Sequence, residues 1–221
     1  SSVASVDIQG SSVKIEQKTD YPWDGTISLT VDPRQPIPFT LCVRIPHWVR
    51  GRPLPSDLYT YDDPTPAAWS VSVNGKSLAV ELKNGYATID RTWQAGDAVT
   101  VRLPMPPRRV MANPRVAAAR GQIALERGPI VYCLEGIDNG GSVFDCVVPA
   151  GATVVPVRKP ALLGGVVVLE IADAQSLSAT PDGQETQRMM PAVAVPYAFW
   201  NNRGLTPMTV WVHASTESHG R

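Results

Sequence analysis

Apolar and polar positions alternate with a period of two along most of the chain. Val13 and Ile15 alternate with Lys14 and Glu16 after a Gly10-Ser11 turn. Ile27, Leu29 and Val31 alternate with Ser28 and Thr30, and Phe39, Leu41, Val43 and Ile45 with Thr40, Cys42 and Arg44. Each run predicts a strand with one face in a core and one face wetter. Trp69, Val71 and Val73 lead into Asn74-Gly75, a two-residue hairpin signal, and Leu78, Val80 and Leu82 alternate on the return. Asn84-Gly85 turns into Tyr86–Ile89, and Ala95-Gly96-Asp97 into Val99–Leu103. Trp69 to Leu103 therefore reads as a meander of four strands, with the turn spacing of a sandwich. Residues 51–66 carry Pro53, Pro55, Pro64 and Pro66 with Asp62-Asp63, which predicts a long surface loop.

Pro104-Met105-Pro106-Pro107 marks an exit from a sheet and a domain boundary, because proline has no N–H for the ladder. Arg108, Arg109, Arg115 and Arg120 follow; such a stretch suits a solvated linker or a salt-bridge surface better than a phosphate patch. Ile123 and Leu125 alternate with Gln122, Ala124 and Glu126, and Gly128-Pro129 bends the chain into Ile130–Leu134. Further strands are expected at 144–148, 153–157, 166–171 and 190–195. Val166-Val167-Val168-Leu169 is continuous, as for a strand buried on both faces. Residues 136–142 and 176–185 read as loops. Met208, Val210 and Val212 alternate in a last strand, and a polar tail at 215–221 is expected to fray.

Composition sharpens the fold class. The 221 residues include 17 Gly and 21 Pro, and 27 Val against 14 Leu. Prolines at this density break helices, and β-branched Val suits a pleated surface, so the chain is expected to be all-β. Lys+Arg and Asp+Glu are 20 each, for a net charge of zero, which argues against nucleic acid or an anionic membrane as partner. The longest apolar run, 161–169, is far short of the roughly 18–20 residues of a membrane span. Ser1–Asp7 lacks the basic and apolar regions of a signal peptide. The chain does not begin with Met and reads as a piece of something longer. Cys42, Cys133 and Cys146 are compatible with three buried thiols or with one bridge, Cys133 to Cys146. No C-x-x-C and no clustered histidine suggests zinc, since His47, His213 and His219 are far apart.

No nucleophile elbow, metalloprotease helix, phosphate loop or dinucleotide fingerprint occurs. The carboxylates nearest to pairing are Glu126 with Glu135 and Asp138 with Asp145, and all four are expected to be solvated rather than to serve as acid and base. Six Trp and six Tyr against three Phe is a skew toward rings with a polar edge. Such rings stack on sugars, and equally fill cores and domain interfaces. Tyr21-Pro22-Trp23, His47-Trp48 and Tyr59-Thr60-Tyr61 fall in or beside expected loops and are candidates for exposure. Trp69, Trp93 and Trp211 fall near strands and are candidates for the core.

Several strings resemble those of glycoside hydrolase family 127, the β-L-arabinofuranosidase family. Thr19-Asp20-Tyr21-Pro22-Trp23-Asp24-Gly25 resembles the region after its catalytic barrel, and Arg44-Ile45-Pro46-His47-Trp48 its R-I-P-x-W motif. Val73-Asn74-Gly75, Gly85-Tyr86, Arg91-Thr92-Trp93, Ala95-Gly96-Asp97 and Leu103-Pro104-Met105-Pro106 follow in the family's order. So do Leu125-Glu126-Arg127-Gly128-Pro129-Ile130-Val131-Tyr132, Pro196-Tyr197, Asn202-Arg203-Gly204 and Met208-Thr209-Val210-Trp211.

The resemblance implies two β-sandwich (jelly-roll-like) domains, the second inserted into the first: residues 1–107 plus 207–214, and residues 108–206. It implies a bacterial retaining glycosidase as parent, with an upstream (α/α)₆ barrel holding a Cys nucleophile, a Glu acid/base and zinc. None of those positions is matched here, so no catalytic residue, metal ligand or cofactor is expected in this chain. Two readings follow. The chain is a non-catalytic structural module supporting that barrel, or a carbohydrate-binding module for arabinose-containing glycans. Tyr21, Trp23, His47 and Trp48 are the candidate barrel-interface or sugar contacts. The candidate partners are the missing N-terminal barrel, a glycan and a second copy of the chain.

Overall fold

The computed structural model describes residues 1–179 and 185–215. Among them there is no α-helix, only strands, turns and short 3₁₀ segments. No helix there is long and apolar enough to cross a membrane. The chain forms two compact units, Ser1–Arg52 with Thr65–Met105, and Pro53–Pro64 with Pro106 onward.

The strands up to the proline-rich exit are β1 (Ser2–Ile8), β2 (Ser11–Thr19), β3 (Thr26–Pro33), β4 (Ile37–Arg44), β5 (Tyr59–Tyr61), β6 (Ser70–Val73), β7 (Lys76–Leu78), β8 (Leu82–Lys83), β9 (Tyr86–Trp93) and β10 (Asp97–Arg102). All but β5 belong to the first unit. They form a six-stranded sheet in the order β1-β2-β3-β10-β6-β7 and a three-stranded sheet in the order β4-β9-β8. Val31, Val71, Val99 and Val101 are buried from the first sheet, and Ile37, Ala87, Ile89 and Trp93 from the second. These are the inward positions of the alternating runs, so the hydrophobic effect holds the layers together through one face of each strand. The Trp93 indole N–H donates to the Phe39 carbonyl at 3.0 Å, which satisfies its polar edge inside the core.

The expected four-strand meander is divided between the two sheets. β6 and β7 pair as the Asn74-Gly75 hairpin, but β8 and β9 lie in the other sheet. Alternation marks a strand; it does not say which neighbour the strand pairs with. β1 was not anticipated. It is an edge strand with six of seven residues exposed, and burial therefore leaves little apolar pattern to read.

The second unit contains β11 (Pro107–Ala112), β12 (Gln122–Arg127), β13 (Ile130–Glu135), β14 (Cys146–Pro149), β15 (Val154–Lys159), β16 (Val166–Ile171), β17 (Gln175–Ala179), β18 (Glu185–Met189), β19 (Ala192–Pro196), β20 (Met208–Thr209) and β21 (Val212–Ser215). With β5 they make one sheet. Its path is β15-β16-β19-β13-β12-β21-β14-β17-β18, with β11 also on β12, β5 on β11 and β20 on β13. Leu169 and Ile171 of β16 share one buried cluster with Cys146 and Val148 of β14, although these strands lie in opposite halves of the path. The sheet must therefore curl so that its halves face each other. Val166, Val167, Val168 and Leu169 are all buried, as their continuous run predicts.

Several boundaries differ from expectation. The 51–66 loop is not structureless: β5 pairs with β11, Val110 opposite Tyr61, and Tyr61 is buried. Residues 207–214 do not return to the first unit. β20 pairs with β13, and β21 pairs with β12 and runs parallel to β14. Residues 175–179 and 185–189 pair antiparallel where a loop was expected; residues 180–184 and those from 216, where a frayed tail was expected, lie outside the described residues. Phe144, placed in a strand by the sequence, precedes β14 and is 64% exposed.

Gly25 shows why one motif needs its glycine. A Cβ there would sit 1.8 Å from the Leu103 carbonyl oxygen, and the Leu103 N–H donates back to the Gly25 carbonyl at 2.9 Å. Two backbones touch with no room for a side chain. Gly25→Ala is expected to lower the unfolding free energy by about 3 kcal/mol through overpacking. Gly10→Ala, where a Cβ meets nothing but φ is +78°, is expected to cost about 1 kcal/mol. Urea unfolding of the two variants checks the order.

Candidate functional site

The four residues singled out from sequence all lie in the first unit. Asp20 starts a turn in which its carbonyl accepts the N–H of Trp23 at 2.8 Å and of Asp24 at 3.2 Å. Tyr21 is 36% exposed on this turn and Trp23 is half-buried. His47 opens the 3₁₀ turn Trp48–Arg50, and its carbonyl accepts the N–H of Arg50 and of Arg52. Gly51, at φ +80°, ends the turn in the left-handed region that favours glycine. Trp48 is only 8% exposed, so it is a core anchor and not a presented ring. Burial raises the Tyr21 pKa, and the neighbouring Trp48 side chain partly opposes the rise. His47 is half-buried. Its pKa is lowered, by desolvation first and then by Arg50, Arg44 and Arg52. The fold thus joins Tyr21 to Trp48, with His47 and Trp23 on the two turns beside them.

Other motif residues prove to be staples of turns. Asn74 Nδ2 donates to Asp97 at 2.7 Å, and Asn74 Oδ1 accepts the Ala98 N–H at 2.9 Å. Asp97 also accepts the Gln94 N–H and pairs with Arg91, whose guanidinium lies 5.2 Å from the Trp93 ring centroid. Desolvation alone would raise the Asp97 pKa, but Asn74, Gln94 and Arg91 together hold it below its ordinary value. The strings from Asn74-Gly75 to Ala95-Gly96-Asp97 therefore form one polar clamp around the ends of two strands.

The second unit holds two buried acids, where sequence reasoning expected solvated ones. Glu126 on β12 accepts a hydrogen bond from the Tyr61 hydroxyl at 2.7 Å. Desolvation pushes its pKa up to about 7, against the opposing effects of Tyr61 and Arg108. Arg108 lies 4.9 Å from the Tyr61 ring centroid and donates to the Asp63 carbonyl. Glu135 at the end of β13 has no solvent exposure. It accepts from Arg203 at 2.6 Å and from the Asn201 N–H at 2.8 Å, and Arg203 also grips Asp138 through both terminal nitrogens. Asn139 bonds the Glu135 carbonyl and both backbone groups of Val193. Asp145, the other suggested partner of Asp138, accepts instead from Ser176 and Ser142, which lower its pKa. Neither suggested carboxylate pair forms. Each of these four acids is committed to an internal donor.

A cavity of about 240 Å³ lies beside Asp62, Asp63, Arg108 and Arg109. Its arginines are engaged: Arg109 donates to the carbonyls of Pro149 and Ala152 and pairs with Asp62 at 4.0 Å. Arg108 and Arg109 are thus held in internal contacts, while Arg115 and Arg120 are exposed, as a solvated stretch would have them. The three cysteines are free thiols, Cys42 exposed and Cys133 and Cys146 buried. Burial pushes the latter two up to about 12 and about 11, far from the thiolate that a metal or a nucleophile requires. Among the described residues no three His, Cys, Asp or Glu side chains gather as a metal site.

These turn staples and buried clamps sit on the strings that suggested a glycosidase family, and comparison with known proteins agrees. The family profile described as "Beta-L-arabinofuranosidase, GH127 middle domain" matches residues 1–105, and "Glycoside hydrolase family 127 C-terminal domain" matches residues 107–213. The chain belongs to glycoside hydrolase family 127. It is 32% identical to a non-reducing end β-L-arabinofuranosidase of Bifidobacterium longum subsp. longum, covering 91% of this chain and 30% of that one. A GH127 β-arabinofuranosidase structure superposes with a TM-score of 0.91 at 39% identity, over 96% of this chain and 33% of the other. A GH127 β-L-arabinofuranosidase from Geobacillus stearothermophilus T6 superposes with a TM-score of 0.84 at 39% identity, over 96% and 32%. The chain thus spans about a third of the length of these relatives.

Sequence reasoning missed that Arg203 closes on Glu135 and Asp138 across a long separation, and that Tyr61 reaches Glu126. Arg203→Met leaves the buried Glu135 carboxylate without its counter-charge, and is expected to cost about 3–5 kcal/mol of stability, part of it recovered by adding Glu135→Gln. A double-mutant cycle in urea checks this. Glu126 has its folded-state pKa raised above the unfolded value of 4.5. Its protonated form is therefore favoured by folding, and the stability it contributes is full below about pH 4.5 and lost as pH rises through about 7. Glu126→Gln is expected to remove that slope, measured as unfolding midpoint against pH.

Proposed function

We propose that this chain is a non-catalytic structural module of a β-L-arabinofuranosidase, supporting an upstream (α/α)₆ barrel that carries the chemistry. The observation that carries this reading is the match of its two halves to a middle and a C-terminal domain of enzymes three times its length. The local chemistry points the same way: Glu126, Glu135, Asp138 and Asp145 are each engaged by internal donors. On this reading Tyr21, Trp23 and His47, the members of the four that are not buried, make the barrel-facing contact of the first unit.

The test is hydrolysis of an aryl β-L-arabinofuranoside by this chain and by the protein extended upstream of Ser1. The expected result is no turnover by the chain and turnover by the extended protein. Turnover by the chain alone, abolished by a Cys→Ser substitution, would overturn the reading.

A further inference from the structure

The turn after β4 gathers positive charge that the fold leaves without a counter-charge. Arg44 ends β4, and His47, Arg50 and Arg52 follow on the turn. The His47 carbonyl accepts the N–H of both Arg50 and Arg52, which folds the two arginines back on the histidine. Arg50, Arg44 and Arg52 all act on the His47 imidazole. The strand ladder adds to the group. Arg44 from β4 and Lys83 from β8 stand opposite Tyr86 on its two sides, and residues directly opposite one another share a sheet face. The Arg44 guanidinium lies 5.5 Å from the Tyr86 ring centroid. Arg50 reaches the same place: a Cβ on Gly85 would stand 3.6 Å from its Nη2.

Among the described residues no ion pair reaches Arg44, Arg50, Arg52 or Lys83, whereas Arg91, Arg109 and Arg203 are each held by a carboxylate. Arg50 donates to the Pro46 carbonyl at 3.3 Å, while Arg44 and Arg52 are exposed. Asp90, on the same face of β9 as Tyr86, is engaged by the Thr40 hydroxyl instead. The repulsion among these cations is therefore met by no internal counter-charge, on a chain whose net charge is zero. Guanidinium groups beside an exposed tyrosine suit an interface, and their forked donors match carboxylates.

We infer that Arg44, Arg50, Arg52 and Lys83 form a docking surface for carboxylates on the polypeptide that precedes Ser1. The inference rests on the reading above that such a polypeptide exists, and names the chemistry of its contact. The path of the chain chooses this occupant. The Ser1 hydroxyl accepts the Thr19 N–H at 3.3 Å, and the Thr19 hydroxyl accepts the Tyr21 N–H at 3.0 Å. Tyr21 neighbours Trp48, the residue after His47. A polypeptide entering at Ser1 therefore arrives beside the turn that carries the arginines. The unpaired cations then fix what it presents there, Asp or Glu side chains.

Phenylglyoxal modifies accessible guanidinium groups, and mass spectrometry reads each arginine separately. The chain alone and the protein extended upstream of Ser1 are compared, with exposed Arg115 as internal control. The expected result is a fall of about fivefold or more in the modification rates of Arg44, Arg50 and Arg52 in the extended protein, with Arg115 unchanged. In the extended protein, Arg44→Glu with Arg52→Glu is expected to restore the Arg50 rate. Arg44→Lys with Arg52→Lys is expected to keep it low, because lysine preserves the charge. An Arg50 rate that is the same in both variants, high or low, overturns the inference. Unchanged rates in an extended protein that hydrolyses arabinofuranosides overturn it and leave the function standing. Protection in an extended protein without that activity does the reverse. Protection in the chain alone that disappears on dilution assigns the surface to a second copy. Protection that appears only on adding oligogalacturonate, in the extended protein as in the chain alone, assigns it to an acidic glycan; either overturns the inference.

Discussion

A strand can bury only one face against one layer, so a chain made of strands must find a second layer for each. The first unit solves this with two sheets and places Trp93, Ile89 and Val101 between them. The second unit uses one sheet, curled until β16 and β14 share a core. Both solutions depend on turns that hold position while the sheets bend, and the polar clamps are found at those turns.

That dependence explains the kind of residue the motifs contain. Asp97 with Asn74, Glu126 with Tyr61, and Glu135 with Arg203 join elements distant in sequence. Each is an acid taken largely out of water and therefore bound to a specific donor; an apolar contact would tolerate sliding where a hydrogen-bonded acid does not. The strings that mark the family are, in this part of the chain, marks of architecture.

The strand content was largely legible, because period-two burial writes itself into the sequence: Val71, Val73, Val99 and Val101 alternate and are buried. β1 was not legible, since an exposed edge strand has no apolar face to show. The partnership of β20 and β21 with the second unit was not legible either, because Val212 is equally apolar against either sheet, and only the long-range ladder to β12 decides. The candidate contact residues were found as turn aromatics by their neighbouring prolines. Which of them is outside was not written there: Trp48 and Tyr21 have similar contexts, and only the 3₁₀ turn sends Trp48 inward.

The short strand β5 bears on modularity. It lies in the stretch before Thr65, within the sequence of the first unit, yet its ladder is to β11 and its Tyr61 caps the Glu126 carboxylate. The boundary near Met105 is therefore not the whole of the division, because residues 53–64 belong with the later residues. A recombination or cloning cut made there would give a first half trailing an orphaned strand and a second half with an open sheet edge and an acid stripped of its donor. Each half carries its own core, yet the second is completed by a strand encoded inside the first.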